Sequence, residues 1–261
     1  MQLKKISAKQ IYFKQDQEKF LSSSCTPFFN NSKSPFLEYE VILNSYKSKE
    51  FELYDYFGII SWRFLEKTLM LPETFFSYVI DNPGYEVYFI NPFPEQAILY
   101  NNVWEQGAIS HSLELKNIMN KILKEVGYNF QVEDVNLQPE KILYCNYWFG
   151  NPKFWEKYIQ FTEPIYYFIQ DNKNSELVKF VNDRARYHYN VTFIPFIMER
   201  LFSTFLWYDN SIKYKAYIFS EIEIAKLIVK LREDQSKNTN QVSFKEIVKL
   251  LIRNYFHNLN L

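Results

Sequence analysis

Tyr54-Asp-Tyr-Phe-Gly-Ile-Ile-Ser61-Trp-Arg-Phe64, then Pro72 to Ile80, then Tyr85-Glu-Val-Tyr-Phe-Ile90-Asn-Pro-Phe-Pro94, is the stretch that decides the fold. Its first and last pieces are short, nearly continuous apolar runs, the pattern of strands covered on both faces. Between them Pro72 opens a helix over Glu73 to Ile80, where the missing proline N–H costs nothing, and Asn82-Pro83-Gly84 makes a turn. Strand, helix and strand in succession define an α/β fold with a mostly parallel sheet flanked by helices.

The pattern extends in both directions. Gln10 to Lys14 alternates as a strand, and Ser22 to Pro35, rich in Ser, Pro and Asn, reads as a loop long enough to be functional. Phe36 to Tyr46 and Glu95 to Gln106 read as helices. So does Ser112 to Val126, where Leu115, Ile118, Met119, Ile122, Leu123 and Val126 recur at helical spacing and Gly127 stands at the C-terminal cap. Ile142 to Trp148 is a further strand. Asn151-Pro152 starts a helix over Lys153 to Phe161 that Pro164 interrupts, Asn174 to Arg186 is another, and Pro195 opens the apolar helix Phe196 to Trp207. Beyond it, Glu221 to Glu233 and Ser243 to His257 form a C-terminal helical pair joined by polar residues, with Ser243 and Glu246 as a capping box. The chain divides into an α/β domain over 1–210 and a C-terminal helical extension over 211–261.

Composition removes several functions. Of 261 residues, 47% are hydrophobic and 23% charged, which excludes a disordered or collagen-like chain. Thirty basic residues balance thirty acidic ones, so the net basic footprint of a nucleic-acid binder is missing and no nucleic-acid partner is expected. The five glycines, Gly58, Gly84, Gly107, Gly127 and Gly150, are too dispersed for a G-x-G or phosphate-loop motif, which argues against dinucleotide-binding and Walker-type domains. His111, His188 and His257 are scattered, and Cys25 and Cys145 lack partners at zinc spacing, so no metal ligand is assigned. Two cysteines without a framework fit a reducing cytoplasm, and no run is apolar enough to span a membrane. The last helix has a basic-flanked apolar stripe that fits either a peripheral membrane contact or docking on its own domain. Aromatics reach 20%, an excess that fits either surfaces that stack planar ligands or a codon bias.

Charges inside apolar segments carry the chemistry. Glu199-Arg200 lies in the apolar helix from Pro195 to Leu206, either directed at a polar ligand or locked in a structural ion pair. Asn101 to Gly107 with His111 gathers Trp104, Glu105, Gln106 and an imidazole, groups that suit a sugar's hydroxyls and C–H face or that simply cap a helix. Trp62, Arg63 and Lys67 follow a strand, where open α/β sheets place ligands, and a cation there could hold a diphosphate leaving group. Asn146, the strongly polar side chain of Tyr144-Cys-Asn-Tyr-Trp-Phe149, is a ligand contact or a satisfied core amide.

Several ordered blocks resemble a bacterial family encoded near capsule and lipopolysaccharide assembly genes. They are Pro27-Phe-Phe-Asn-Asn31, Glu38-Tyr39, Tyr56 to Phe64 with Lys67-Thr68, Asn91-Pro-Phe93 with Gln96, Asn102 to Gly107 with His111, Tyr144 to Tyr147 with Phe154-Trp155, and Met198 to Leu201. Their order is also similar to glycosyltransferase-like domains of capsule clusters. The resemblance implies a GT-A-type fold, a nucleotide-sugar donor and a glycan acceptor, in the cytoplasm or peripheral at the inner membrane. It also implies a divalent metal, manganese or magnesium, yet the chain has no D-x-D to hold one. The expected catalytic base is Glu105 or Glu199. Arg63, Lys67 and Arg200 are leaving-group partners, and Trp62, Trp104 and Trp148 are stacking platforms. Asn91, Gln106, His111 and Asn146 complete the expected substrate-binding set. A glycan-binding or scaffold protein that kept the fold without catalysis is the alternative.

Overall fold

The computed structural model describes residues 5–183 and 191–235. Its sheet contains β1 Ile6–Tyr12, β2 Thr26–Phe29, β3 Tyr56–Ser61, β4 Val87–Ile90, β5 Trp148–Gly150 and β6 Tyr214–Tyr217, in the order β2-β1-β3-β5-β4-β6. The helices described are α1 Glu38–Lys47, α2 Phe64–Thr68, α3 Pro72–Asp81, α4 Pro94–Leu99 and α5 Val103–Ser110, followed by α6 Glu114–Glu125, α7 Pro152–Asp171, α8 Glu176–Asn182, α9 Ile194–Tyr208 and α10 Glu221–Gln235.

The α/β class holds, but the sheet is mixed and not mostly parallel. β1 pairs in parallel with β2 and β3, and β4 with β6, whereas β5 runs antiparallel between β3 and β4. The strand expected from Ile142 therefore starts only at Trp148. Before it Cys145 takes φ 68°, a left-handed conformation that no strand accommodates, and Asn91 Oδ1 at the end of β4 accepts the Tyr144 N–H at 3.4 Å. The approach of β5 to β3 depends on Gly58: a Cβ there would lie 2.6 Å from the Trp148 carbonyl oxygen and 2.9 Å from the Phe149 ring.

Strand side chains alternate between two cores, as a period of two requires. Phe57, Ile59, Val87, Phe89 and Trp148 face the larger core, built with residues of α1, α5, α6, α7 and α9. Tyr56, Ile60, Tyr88, Ile90 and Phe149 face the smaller one, with Phe64 of α2, Phe75 and Val79 of α3, and Ile224 and Leu227 of α10. Each such side chain contributes about 1.5–3 kcal/mol when fully buried.

Local corrections have local causes. The helix expected over Glu95 to Gln106 is split, because Asn102 caps α5 by accepting from the Trp104 N–H at 2.7 Å and the Glu105 N–H at 3.4 Å. α7 continues through Pro164, which is exposed as is Gln160, whose carbonyl the ring deprives of its partner, so water can take that bond. Thr26–Phe29 makes an edge strand inside the expected loop, and 214–217 add β6 to the sheet. The end of the helix expected to Arg186 and the last helix, Ser243 to His257, lie outside the described residues.

Candidate functional site

Five strands run the same way, so their carboxyl ends and the amino end of β5 share one edge of the sheet. The chain leaves β1 toward β2 on one side and leaves β3 toward β4 on the other, which puts the topological switch, the usual ligand crevice of an open sheet, between β1 and β3. Ser61, closing β3, and Tyr147, just before β5, hydrogen-bond through their hydroxyls at 2.7 Å. Beside them Lys67 of α2 donates to Cys145 Sγ at 3.0 Å and lies 5.7 Å from the Phe93 ring and 5.9 Å from the Tyr147 ring.

Glu38, the first residue of α1, and Glu199 of α9 both act electrostatically on Lys67 and Cys145, although neither forms an ion pair with the ammonium among the described residues. Burial pushes the Cys145 thiol up to about 12, so its sulfur is neutral at pH 7 and serves only as a weak acceptor. Burial also raises the Glu38 carboxyl, opposed by Lys67 and by a hydrogen bond from Asn146. At Lys67 burial, the largest cause, disfavours the charge, but Cys145, Tyr147 and Glu199 together raise the ammonium above the usual lysine range.

Tyr144, Glu95 and Arg200 extend the polar cluster from Glu199. One Glu95 carboxylate oxygen and the Tyr144 hydroxyl are buried without a hydrogen-bond partner among the described residues. Burial raises the Glu95 carboxyl to about 7, despite its own N–H and Gln96, which lower it. An acid whose folded value lies above its unfolded value near 4.5 stabilises the protein most below that unfolded value, and the contribution is lost as pH rises to about 7. Chemical unfolding at pH 5 and pH 8 should therefore show Glu95→Gln removing a pH-dependent loss of roughly 3 kcal/mol. Identical pH slopes for both proteins would exclude this titration.

The structure brings together Lys67, Asn146 and Glu199 of the expected residues. Arg63 is half-buried near Trp62, with Nε and Nη2 donating to Glu66 at 3.0 and 2.6 Å. Asn91 is committed to its own turn, bonding the Phe93 N–H and carbonyl as well as Tyr144. Trp104 and Trp148 are buried in the larger core, Trp104 Nε1 donating to Thr204 Oγ1 at 2.9 Å, so neither offers a ring face to a ligand. Glu105 is exposed on α5. Gln106 accepts from Arg200 at 2.5 Å, and Arg200 itself is locked between α5 and α9. His111 stacks on Phe196 with centroids 3.9 Å apart, and burial, then Arg200, lowers it to about 4, which leaves a neutral imidazole at pH 7. Glu38 and Glu95 join the cluster although their sequence neighbourhoods mark neither as a chemical group; Glu38 precedes Tyr39 at the start of α1, and Glu95 stands between Pro94 and Gln96 in α4.

Among the described residues no helix is long and apolar enough to cross a membrane. Comparison with known protein families, curated proteins and solved structures finds no match to this chain. What the fold and site define is thus an α/β protein with a mixed six-stranded sheet and a half-buried cluster of carboxylates and an ammonium at its carboxyl edge.

Proposed function

We propose that the protein is a glycosyltransferase of bacterial capsule or lipopolysaccharide assembly, moving a sugar from a nucleotide-sugar donor to a glycan acceptor on a GT-A-type framework. The residue blocks that resemble capsule-cluster glycosyltransferases support the class, and one observation supports the chemistry. Glu199 is half-buried beside Lys67 and, among the described residues, makes no hydrogen bond or ion pair, so its carboxylate is available as a base. In an inverting transfer Glu199 takes the proton of the acceptor hydroxyl as that oxygen bonds the anomeric carbon; the bond to the diphosphate breaks and the diphosphate leaves with its electron pair. Arg63, next to Trp62, is the cation for that leaving group, exchanging its Glu66 carboxylate for the diphosphate. Arg200 is committed to the core, and Lys67 lies among carboxylates that repel a diphosphate.

The divalent metal implied by the resemblance does not fit the residues present: among those described, no three His, Cys, Asp or Glu side chains gather to hold one. No step is routed through it. A non-catalytic glycan-binding protein is the second reading. It is favoured by the exposed Phe20 ring 5.5 Å from Trp62, an aromatic surface at the switch point.

Thermal melting against UDP, GDP, CMP and their sugar conjugates, each with and without manganese, tests the transferase. Binding stabilises the native state by about 2.7 kcal/mol at a hundredfold excess over Kd, so one nucleotide series should raise the melting temperature. No rise with any nucleotide would overturn the donor site and leave the glycan-binding reading.

A further inference from the structure

We infer that Glu38, Lys67 and Asn146 form a subsite for two adjacent hydroxyls of a sugar ring. Its starting observation is an unmatched atom. Asn146 is buried, its amide hydrogen-bonds the Glu38 carboxylate, and its Oδ1 has no partner among the described residues. A buried acceptor left in that state costs free energy unless a ligand or water completes it.

The count of open positions around it is specific. Lys67 carries three N–H donors and gives one to Cys145, which leaves two. Glu38 accepts from Asn146 and retains its second oxygen, and Asn146 Oδ1 supplies another acceptor. Each sugar hydroxyl donates one hydrogen bond and accepts one, so a vicinal pair needs two donors and two acceptors, the set found here. Electrostatics point the same way. Among the described residues Glu38 and Glu199 both act electrostatically on the Lys67 ammonium, which disfavours a phosphate and suits a neutral polyol. Lys67 and Glu38 are half-buried and Asn146 Oδ1 is covered, so a sugar meets that oxygen only as the side chains over it shift, while the Phe93 and Tyr147 rings near the lysine limit where its ammonium can go.

This subsite deepens the transferase reading by naming where the sugar sits, and it also holds for a glycan-binding protein. Saturation-transfer NMR on the full chain tests it with methyl glucoside, galactoside and mannoside and with their 2-deoxy and 3-deoxy counterparts. At least one parent glycoside should bind, and removing one hydroxyl of the recognised pair should weaken binding about tenfold or more, about 1.4 kcal/mol. Glu38→Gln, nearly isosteric and still able to accept from Asn146, should weaken binding by a similar factor at an unchanged melting temperature. Lys67→Met should do the same. Absence of binding by every glycoside, equal binding by all deoxy sugars, or full binding by both folded variants would each overturn the subsite. Glycoside binding without any nucleotide-induced melting shift would keep the subsite and sink the transferase. Turnover of a nucleotide sugar that is indifferent to both substitutions would do the reverse.

Discussion

Arg200→Ala is expected to destabilise the protein by about 3–5 kcal/mol, the range for truncating a large buried side chain, and to lower the melting temperature by on the order of 10 °C. Arg200 is 1% exposed, and three of its nitrogens have partners: Nε donates to the Val103 carbonyl at 2.8 Å, Nη1 to the Phe196 carbonyl at 2.8 Å and Nη2 to Gln106 Oε1 at 2.5 Å. The substitution empties a large buried volume and removes the bonds that tie the Val103 carbonyl and Gln106 of α5 to α9. Gly107 is the other half of this joint. A Cβ at that position would stand 2.4 Å from Arg200 Nε and 2.8 Å from Cζ, so Gly107→Ala should cost about 1–3 kcal/mol by overpacking. The two effects must couple: in the Arg200→Ala background the Gly107→Ala penalty should nearly vanish, because the atoms it meets are gone. Urea unfolding of the two single variants and the double variant measures that cycle. Additive losses, or an Arg200→Ala protein within about 1 kcal/mol of the parent, would show that the guanidinium does not join α5 to α9.

The same residue shows what the sequence makes visible. A charged pair inside an apolar helix is conspicuous, but whether either member reaches a ligand depends on where helix positions about 100° apart are aimed. α5, nearly a hundred residues earlier in the chain, decides it by presenting the Val103 carbonyl and a bare glycine to Arg200, which leaves Glu199 to the sheet edge. β3 and β4 are legible because they are apolar on both faces. β2 and β6 are not, since Thr26–Phe29 and Tyr214–Tyr217 lie at the sheet's edges with no fully buried residue. The reversal of β5 is invisible because Trp148-Phe-Gly150 would read the same in either direction. Glu38 and Glu95 hide for another reason: an acid in the first turn of a helix is ordinary, and what distinguishes these two is the hydrogen bond from Asn146 to Glu38 and the electrostatic effect of Glu95 on Tyr144, both far away in sequence. Trp104 and Trp148 misled in the opposite sense, because a large aromatic beside polar residues reads alike whether it faces a sugar or fills a core.

Glu199→Gln is expected to reduce turnover about 10²- to 10⁴-fold, the usual contribution of a positioned general base, while the fold and any nucleotide-induced melting shift are preserved. The amide keeps the size of the carboxylate but cannot take a proton, and no hydrogen bond of Glu199 is lost among the described residues. The loss should fall on kcat more than on KM, since proton transfer belongs to the transition state and not to ground-state binding. Glu105→Gln is the matched comparison. It lies on the exposed face of α5, so the same isosteric change there should leave turnover near that of the parent. The pair is informative because both glutamates belong to blocks with the same sequence resemblance, and only position in the fold separates them. Equal activity in the two variants would remove Glu199 as the base. A loss confined to Glu105→Gln would move the reacting centre from the carboxyl edge of β3 to the outer face of α5, away from Lys67 and from the sugar subsite beside it.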